Sequence, residues 1–374
     1  MATEHRINHC EHRCEKLKLA GFRLYRYNLP FTKPLTLKGM TLRSREGLLL
    51  RLTGDDNSEG WGEAAPLPGF SYETLDEATD QLLEVSEAMS GTGRSPSGNT
   101  PAILRPTIAP SARFAVELAV WDLRSARRGV SMPELLHPGA GNLLQISGLL
   151  SGAREKVIEE AARMRDAGYM AVKLKVGGRT IEDDARLVRK LSVLLGNGVS
   201  LRLDANRAWS FEEAEEFARS TTDLRYEYIE EPLADVALLP RFVSETGAPV
   251  ALDESLAGME AEDLEDHRHV SAVVLKPTLL GGISRTLRMA EEAHRIGMTP
   301  VISSAYESGI GTRGLISLSA AIGEAPAGLD TYRRLAADIL HPPLELAAPR
   351  IDVRAALGVA REVDLDSLDL IAEF

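Results

Sequence analysis

Cysteine, positive charge and long apolar runs are all scarce in this sequence. The only cysteines, Cys10 and Cys14, cannot build a disulfide framework. No uninterrupted apolar stretch reaches bilayer-spanning length, which excludes a helical membrane protein. Lys and Arg number 43 against 55 Asp and Glu, and the formal net charge of −12 leaves no general electrostatic footprint for nucleic acid or anionic lipid. An anionic ligand must therefore meet a local cluster of cations. The opening Met-Ala-Thr-Glu-His-Arg lacks the apolar run of a secretory signal, so a reducing, cytoplasmic compartment is expected. What is present is 44% hydrophobic residues in a chain of 374, enough to bury one or more sizeable cores.

The chain divides into four stretches. Residues 1–16 are polar with no sustained period and read as a mobile tail. Within it His9, Cys10, His12 and Cys14 resemble a metal cluster, but zinc sites separate two ligand pairs by a dozen or more residues and these four crowd into six. Residues 17–140 read as a small α+β region. Between Phe22 and Leu52 short β-prone segments are broken at Pro30, Pro34 and Gly39, as in antiparallel strands with turns. Leu75, Ala78, Leu82, Leu83 and Val85 fall at helical spacing, and a Gly/Ser/Pro-rich connection follows from Ser90 to Pro110. A second helix, capped by Ser111, carries Phe114, Ala115, Leu118 and Trp121 on one stripe and ends at Gly129. From 141 to 330 short apolar strands alternate with charged amphipathic helices, the texture of parallel βα units. The final stretch, 331–374, reads as helical and then irregular, packing back on the first region.

The predicted strands are Gln145 to Leu150, Ala171 to Val176, Ser200 to Asp204, Tyr226 to Glu230, Val250 to Asp253, Ala272 to Lys276, Pro300 to Ser303 and a short one near Ala327 to Asp330. The markers Lys175, Asp204, Glu230, Asp253, Lys276 and Ser303 recur every 23 to 29 residues, a period suited to one strand plus one helix. An open doubly wound sheet would carry an early glycine-rich phosphate loop and place its ligand groups at one switch point. Here polar residues end nearly every strand, and a barrel gathers such ends on one face.

Three consecutive strands end in carboxylates, in Leu203-Asp204-Ala205-Asn206, Ile229-Glu230-Glu231-Pro232 and Leu252-Asp253-Glu254-Ser255. One acidic strand end is ordinarily a helix cap, but three in succession would repel one another unless a cation sat among them. The expected cation is Mg²⁺, with Mn²⁺ as a possible substitute, since a hard ion accepts three monodentate carboxylates and keeps positions for water and substrate. Lys173 and Lys175 share one side of the second strand, and Lys276 ends the sixth, across the barrel. Lysines in apolar strands are costly to bury, so they serve either as structural ion pairs or as chemistry. A lysine base needs a depressed pKa, which the metal and Lys173 would supply to Lys175. The set suits proton abstraction α to a carboxylate with the metal holding the enediolate. Arg202 points to the same side as Asp204, either to contact substrate or carboxylate or to pair with a neighbouring acid inside the barrel.

These residues resemble the enolase superfamily, its muconate lactonizing enzyme subgroup and, within that, the o-succinylbenzoate synthase family. The resemblance extends over nearly all the chain after the tail. It includes Gly62-Glu63-Ala64-Ala65-Pro66-Leu67-Pro68-Gly69-Phe70-Ser71, the helix Glu117-Leu118-Ala119-Val120-Trp121-Asp122-Leu123, Lys173-Leu174-Lys175, the three carboxylate strands and Leu275-Lys276-Pro277. It implies a modified TIM barrel, (β/α)7β, with an α+β capping domain formed by the N-terminal region and the C-terminal segment. It further implies Asp204, Glu230 and Asp253 as Mg²⁺ ligands, Lys175 as the base and Lys276 as the cation over the opposite face. Lys173, Arg202, Ser303, Ser304, Gly69, Phe70 and Ser71 are candidate substrate contacts, and Glu307 matches the same seventh-strand segment as the two serines.

The implied reaction is dehydration of a succinyl-cyclohexadiene carboxylate in menaquinone biosynthesis, on a small-molecule carboxylate with no nucleic acid or membrane partner. The seventh strand lacks the histidine base of the mandelate racemase branch, and enolase itself lacks the Lys-x-Lys pair. Dipeptide epimerases place Asp-x-Asp after the eighth strand, where this chain has Gly328-Leu329-Asp330. N-acylamino acid racemase, which needs a lysine on each face, stays open. Two further classes are a noncatalytic scaffold on the same barrel and a Schiff-base aldolase.

Overall fold

The computed structural model describes residues 17–91, 104–323, 325–346, 349–358 and 361–374. The Cys/His cluster at 9–14 and positions 92–103 of the predicted connection lie outside them. β1 (Leu19–Leu37), β2 (Met40–Gly54) and β3 (Glu59–Ala64) form an antiparallel meander whose β1 edge is taken by β15 (Asp369–Glu373). β1 runs on through Pro30 and Pro34 rather than stopping there, because the register with β2 breaks between Pro30 and Leu35 and no ladder bond is demanded of either ring nitrogen. Leu48, Leu50 and Leu52 alternate onto the face covered by α1 (Leu75–Gly91) and α2 (Pro110–Arg128), and Leu49 turns with Tyr25 and Tyr27 to the barrel side. β3 lies directly on the α2 backbone, where a Cβ at Gly62 would come within 1.9 Å of the Ala115 carbonyl oxygen.

Ser111 does not cap α2. Pro110, which has no N–H to satisfy, opens the helix after Ala109, and the Ser111 N–H donates to Glu73 Oε1 at 2.9 Å. Gly129, left-handed at φ 60°, does end it. A short helix, α3 (Met132–Leu136), and β4 (Leu143–Gln145) lead into the barrel.

β5 (Ser147–Leu150), β6 (Ala171–Lys175), β7 (Ser200–Asp204), β8 (Tyr228–Glu230), β9 (Val250–Leu252), β10 (Ala272–Leu275) and β11 (Thr299–Ile302) form one parallel sheet in chain order. Parallel bridges Ile146↔Ala327 and Ser303↔Gly328 insert an eighth segment between its two edges, closing a (β/α)7β barrel. The outer helices are α4 (Arg154–Asp166), α5 (Ile181–Leu195), α6 (Phe211–Ser220), α7 (Leu239–Thr246), α8 (Pro277–Leu280) with α9 (Ile283–Arg295), and α10 (Gly309–Ile322). After β9 a 3₁₀ segment, Ala261–His267, stands where a helix would. Thr180 and Ser210 cap α5 and α6, the latter in a reciprocal box with Glu213.

Residues after 331 contain more strand than their sequence suggests. β12 (Leu340–His341) pairs with β14 (Glu362–Val363), and β13 (Arg350–Asp352) with β4, flanking α11 (Val353–Gly358). Strands of two to five residues are too short to show a period. No described helix is long and apolar enough to cross a membrane.

Candidate active site

Strand register sets the site. Lys175, Asp204 and Glu230, the last residues of β6, β7 and β8, stand abreast, and Asp253 and Lys276 directly follow β9 and β10. Asp204, Glu230 and Asp253 are all buried at the C-terminal mouth of the barrel. Lys173, one inward position deeper on β6, reaches up between two of them, with Nζ 2.9 Å from Asp204 Oδ2 and 2.7 Å from Glu230 Oε2. Lys276 pairs with Asp253. Lys175 Nζ is 3.5 Å from Asp204 Oδ2 and donates to Asn206 Oδ1. The two lysines that end β6 and follow β10 thus flank the acids from opposite sides of the barrel.

The electrostatics show how crowded the charges are. Burial alone would lower the Lys173 pKa, but Asp204 and Glu230 outweigh it and hold the ammonium well above its ordinary value. Burial, then the neighbouring Asp204, pushes the Glu230 carboxyl well above the usual range. For Asp204 burial acts upward and is overcome by Lys173 and Lys175, and for Asp253 it is overcome by Lys276, so both stay below it.

The residues fit a hard divalent cation. Three buried carboxylates supply only oxygen donors, and Glu230 Oε2 accepts no well-directed hydrogen bond despite the nearby Lys173 ammonium. Among the described residues no three acid, His or Cys side chains are already gathered as a cage, and the Lys173 and Lys276 ammonium groups stand against the acids.

Sequence reasoning gave no role to several supporting residues. Glu231 is buried beside Glu230 and turns the other way. It accepts the N–H groups of Asp253 and Ser255 at 2.8 and 2.7 Å and pairs with Arg207 at 2.9 Å, fixing the end of β9. Asn206, Arg207, Glu231 and Tyr306, four of the six non-glycine residues with positive φ among those described, all sit just beyond barrel strands. The Asn after Asp204 was the readable signal, since Asn tolerates that conformation.

Lys173, Lys175, Asn206, Lys276 and Ser303 line a cavity of about 80 Å³. Phe70 reaches it from the capping domain, and Gly69, Phe70 and Ser71 line a neighbouring one of about 270 Å³, with Phe70 and Lys276 shared between the two. Ser304 donates to Glu307 Oε2 at 2.8 Å, and Glu307 also accepts the Ala305 N–H and the Thr278 hydroxyl, so this acid anchors the loop after β11. A larger cavity of about 450 Å³ lies away from the strand ends, between α2, α10 and α11.

Arg202 is not at the mouth. It points inward but one layer below Asp204, beside Lys173 in the register. Its guanidinium is bidentate to Glu227 at 2.9 and 3.0 Å and donates to the Pro326 carbonyl at 2.7 Å, so each of its three nitrogens is engaged below the strand-end acids. Asp330 accepts the Leu149 N–H at 2.8 Å and pairs with Arg333 at 2.7 Å, and Gly328 stands where an epimerase would need its second acid.

Known proteins carry the same frame. Residues 156–367 match the family model described as enolase C-terminal domain-like, and residues 20–123 that of MenC, N-terminal domain. The o-succinylbenzoate synthase of Pasteurella multocida (strain Pm70) is 32% identical over 350 residues, covering 92% of this chain and 98% of the relative. That of Haemophilus influenzae is 33% identical over 339 residues, covering 90% and 97%. The N-succinyl Arg/Lys racemase structure from Bacillus cereus ATCC 14579 superposes with a TM-score of 0.82 at 21% identity over 95% of this chain and all of that one, and shares its fold. With both halves matched and synthases aligned along nearly their full length, the chain belongs to the o-succinylbenzoate synthase family of hydro-lyases, in the enolase superfamily.

Proposed function

We propose that the chain removes water from 2-succinyl-6-hydroxy-2,4-cyclohexadiene-1-carboxylate to give 2-succinylbenzoate, a step of menaquinone biosynthesis, with Lys175 as base and Lys276 opposite. The observation that carries this reading is the pair of lysines facing one cavity across three buried strand-end acids. Asp204, Glu230 and Asp253 would hold Mg²⁺, or Mn²⁺ in its stead. Bound there, a divalent ion acts as a Lewis acid for the charge that develops on a carboxylate as its α-proton leaves.

Lys175 takes that proton on Nζ, with Asn206 and Asp204 orienting the amine. The C–H electron pair forms the new ring double bond as the bond to the 6-hydroxyl breaks. Hydroxide leaves on the same face and takes the proton from Lys175, so the balance is loss of one water. Lys276, fixed by Asp253, places positive charge over the other face of the anionic species. Lys173 offsets Asp204 and Glu230 from below. Ser303, Ser304 and the Gly69–Ser71 loop form the walls that admit the substrate.

A second reading, racemisation of an N-succinyl amino acid, is favoured by the same lysine on each face, since proton removal on one side and delivery on the other inverts a centre. The test follows loss of the cyclohexadiene ultraviolet absorbance with and without Mg²⁺, alongside Lys175→Ala, and deuterium entry into N-succinyl amino acids in D₂O. Mg²⁺-dependent loss that the variant reduces by at least about 10²-fold supports the synthase. Deuterium entry without absorbance loss transfers the assignment to the racemase, and inactivity on both substrates sinks both.

A further inference from the structure

The turn between β1 and β2 is built from Lys38 and Gly39, at φ 44° and 81°, closing the Leu37↔Met40 pair. Two-residue hairpin turns with both central residues at positive φ are ordinarily Asn-Gly or Asp-Gly, so lysine is an unfavoured choice for the backbone. The turn rests on the Gly69 loop, where a Cβ at Gly69 would meet Met40 Cε at 2.7 Å and Lys38 Cβ at 3.6 Å. Lys38 Nζ stands 4.2 Å from the centroid of Phe70, and the same ring lies 6.0 Å from Lys276 Nζ.

Three cationic side chains line the cavity on this side of Phe70. Arg207 is committed to Glu231 and Ser255, and Lys276 to Asp253. Asp253 and Glu254 border the same cavity, the first paired with Lys276 and the second bonded by Asn206 Nδ2, while Lys38 has no ion pair among the described residues.

The geometry points to Lys38 as the receptor for the second carboxylate of the substrate, the one at the end of the succinyl arm. This rests on the proposed dehydration, whose substrate carries one carboxylate on the reacting ring and another on a flexible chain. The first is claimed by the strand-end machinery, where Asp204 and Glu230 would repel a second anion, whereas Asp253, which also borders the Lys38 cavity, is paired there with Lys276. Phe70 offers an apolar surface to the methylenes of the arm, and beyond it Lys38 meets the terminal anion with a charge-assisted hydrogen bond. A monoacid with the same arm would gain nothing from Lys38, which makes this residue a determinant of diacid selectivity.

The test compares binding of 2-succinylbenzoate and 2-butanoylbenzoate, whose arm ends in methyl, to the Mg²⁺-loaded full chain by calorimetry. Wild type, Lys38→Met and Lys38→Arg are measured, with turnover of the cyclohexadiene substrate recorded in parallel. The expected result is a preference for the diacid that falls about tenfold in Lys38→Met and is largely retained in Lys38→Arg. An unchanged preference in Lys38→Met, in a wild type that turns over the substrate, overturns the assignment of Lys38 and leaves the dehydration standing. A wild type that neither turns over the substrate nor binds the diacid overturns the functional reading and this inference together.

Discussion

The Lys173 ammonium lies 2.7 Å from Glu230 Oε2 and 2.9 Å from Asp204 Oδ2, so one cation offsets two buried acids. Removing it leaves Glu230 without an ion pair and Asp204 with the more distant Lys175 alone. Lys173→Met is expected to cost about 3–5 kcal/mol of stability in the absence of metal. A divalent ion would then take over the lost role, and Mg²⁺ should raise the melting temperature of the variant more than that of wild type. Equal Mg²⁺-induced shifts by scanning calorimetry would mean that Lys173 does not offset these acids.

Arg45 joins the capping domain to the barrel. All its guanidinium N–H groups meet main-chain carbonyls: Nε that of Tyr306, Nη1 those of Pro66 and Glu46, and Nη2 those of Ala65 and Ala305. It thereby ties the loop leading to Phe70 to the segment that follows Ser303. Each buried carbonyl left without a donor costs about 1–3 kcal/mol, so Arg45→Met should lose at least about 3 kcal/mol even after water enters. It should also lower kcat/KM by letting the two walls of the cavity separate, with Arg45→Lys in between. Urea unfolding checks the first effect and steady-state kinetics the second, and a variant within about 1 kcal/mol of wild type would show the clamp to be dispensable.

For Arg202 the expected signature is stability without selectivity. Its partners are Glu227 and the Pro326 carbonyl, all below the acids. Arg202→Met leaves the part-exposed Glu227 with Ser200 as its remaining donor and the Pro326 carbonyl without one, and should cost about 1–3 kcal/mol. The ratio of affinities for 2-succinylbenzoate and 2-butanoylbenzoate should stay at the wild-type value. A change in that ratio with little change in unfolding midpoint would return Arg202 to the substrate site.

What was legible in the sequence follows from which signals are local. The strands Ala171–Lys175 and Ser200–Asp204 lie within the predicted segments, because an apolar run stopped by a charged residue is a short-range pattern and the barrel repeats it. The same repetition brought Lys175, Asp204, Glu230, Asp253 and Lys276 to one end. The fate of Arg202 was not legible, since only the parallel register of β7 and β8 brings Glu227 beside it. Arg45 reads as one more charged residue in a polar strand until Ala305 and Tyr306 arrive from the other domain. Glu63 is similar, for its acceptors are filled by Tyr27 from the same sheet but also by Ser308 and Gly311 at the start of α10. Ser111 shows the opposite failure, a sound local rule displaced by the stronger preference of Pro110 for the first helical position.

On the outer surface, Glu265 illustrates how an exposed acid ties stability to pH. Hydrogen bonds from Arg268, at 2.6 and 3.0 Å, and from Arg295 hold its pKa down at about 2. In the unfolded chain a glutamate titrates near about 4.3. A folded-state pKa below the unfolded one means the folded form binds fewer protons, so this contribution is fully present above about 4.3 and is lost as pH falls toward 2. Glu265→Gln should therefore be less stable than wild type at pH 6, by the modest amount typical of surface pairs. The gap between the two urea midpoints should narrow as pH is lowered from 4.5 to 3. A gap that stays constant over that window would show that the arginines do not discriminate the ionised from the protonated carboxyl, and that any loss in the variant comes from packing.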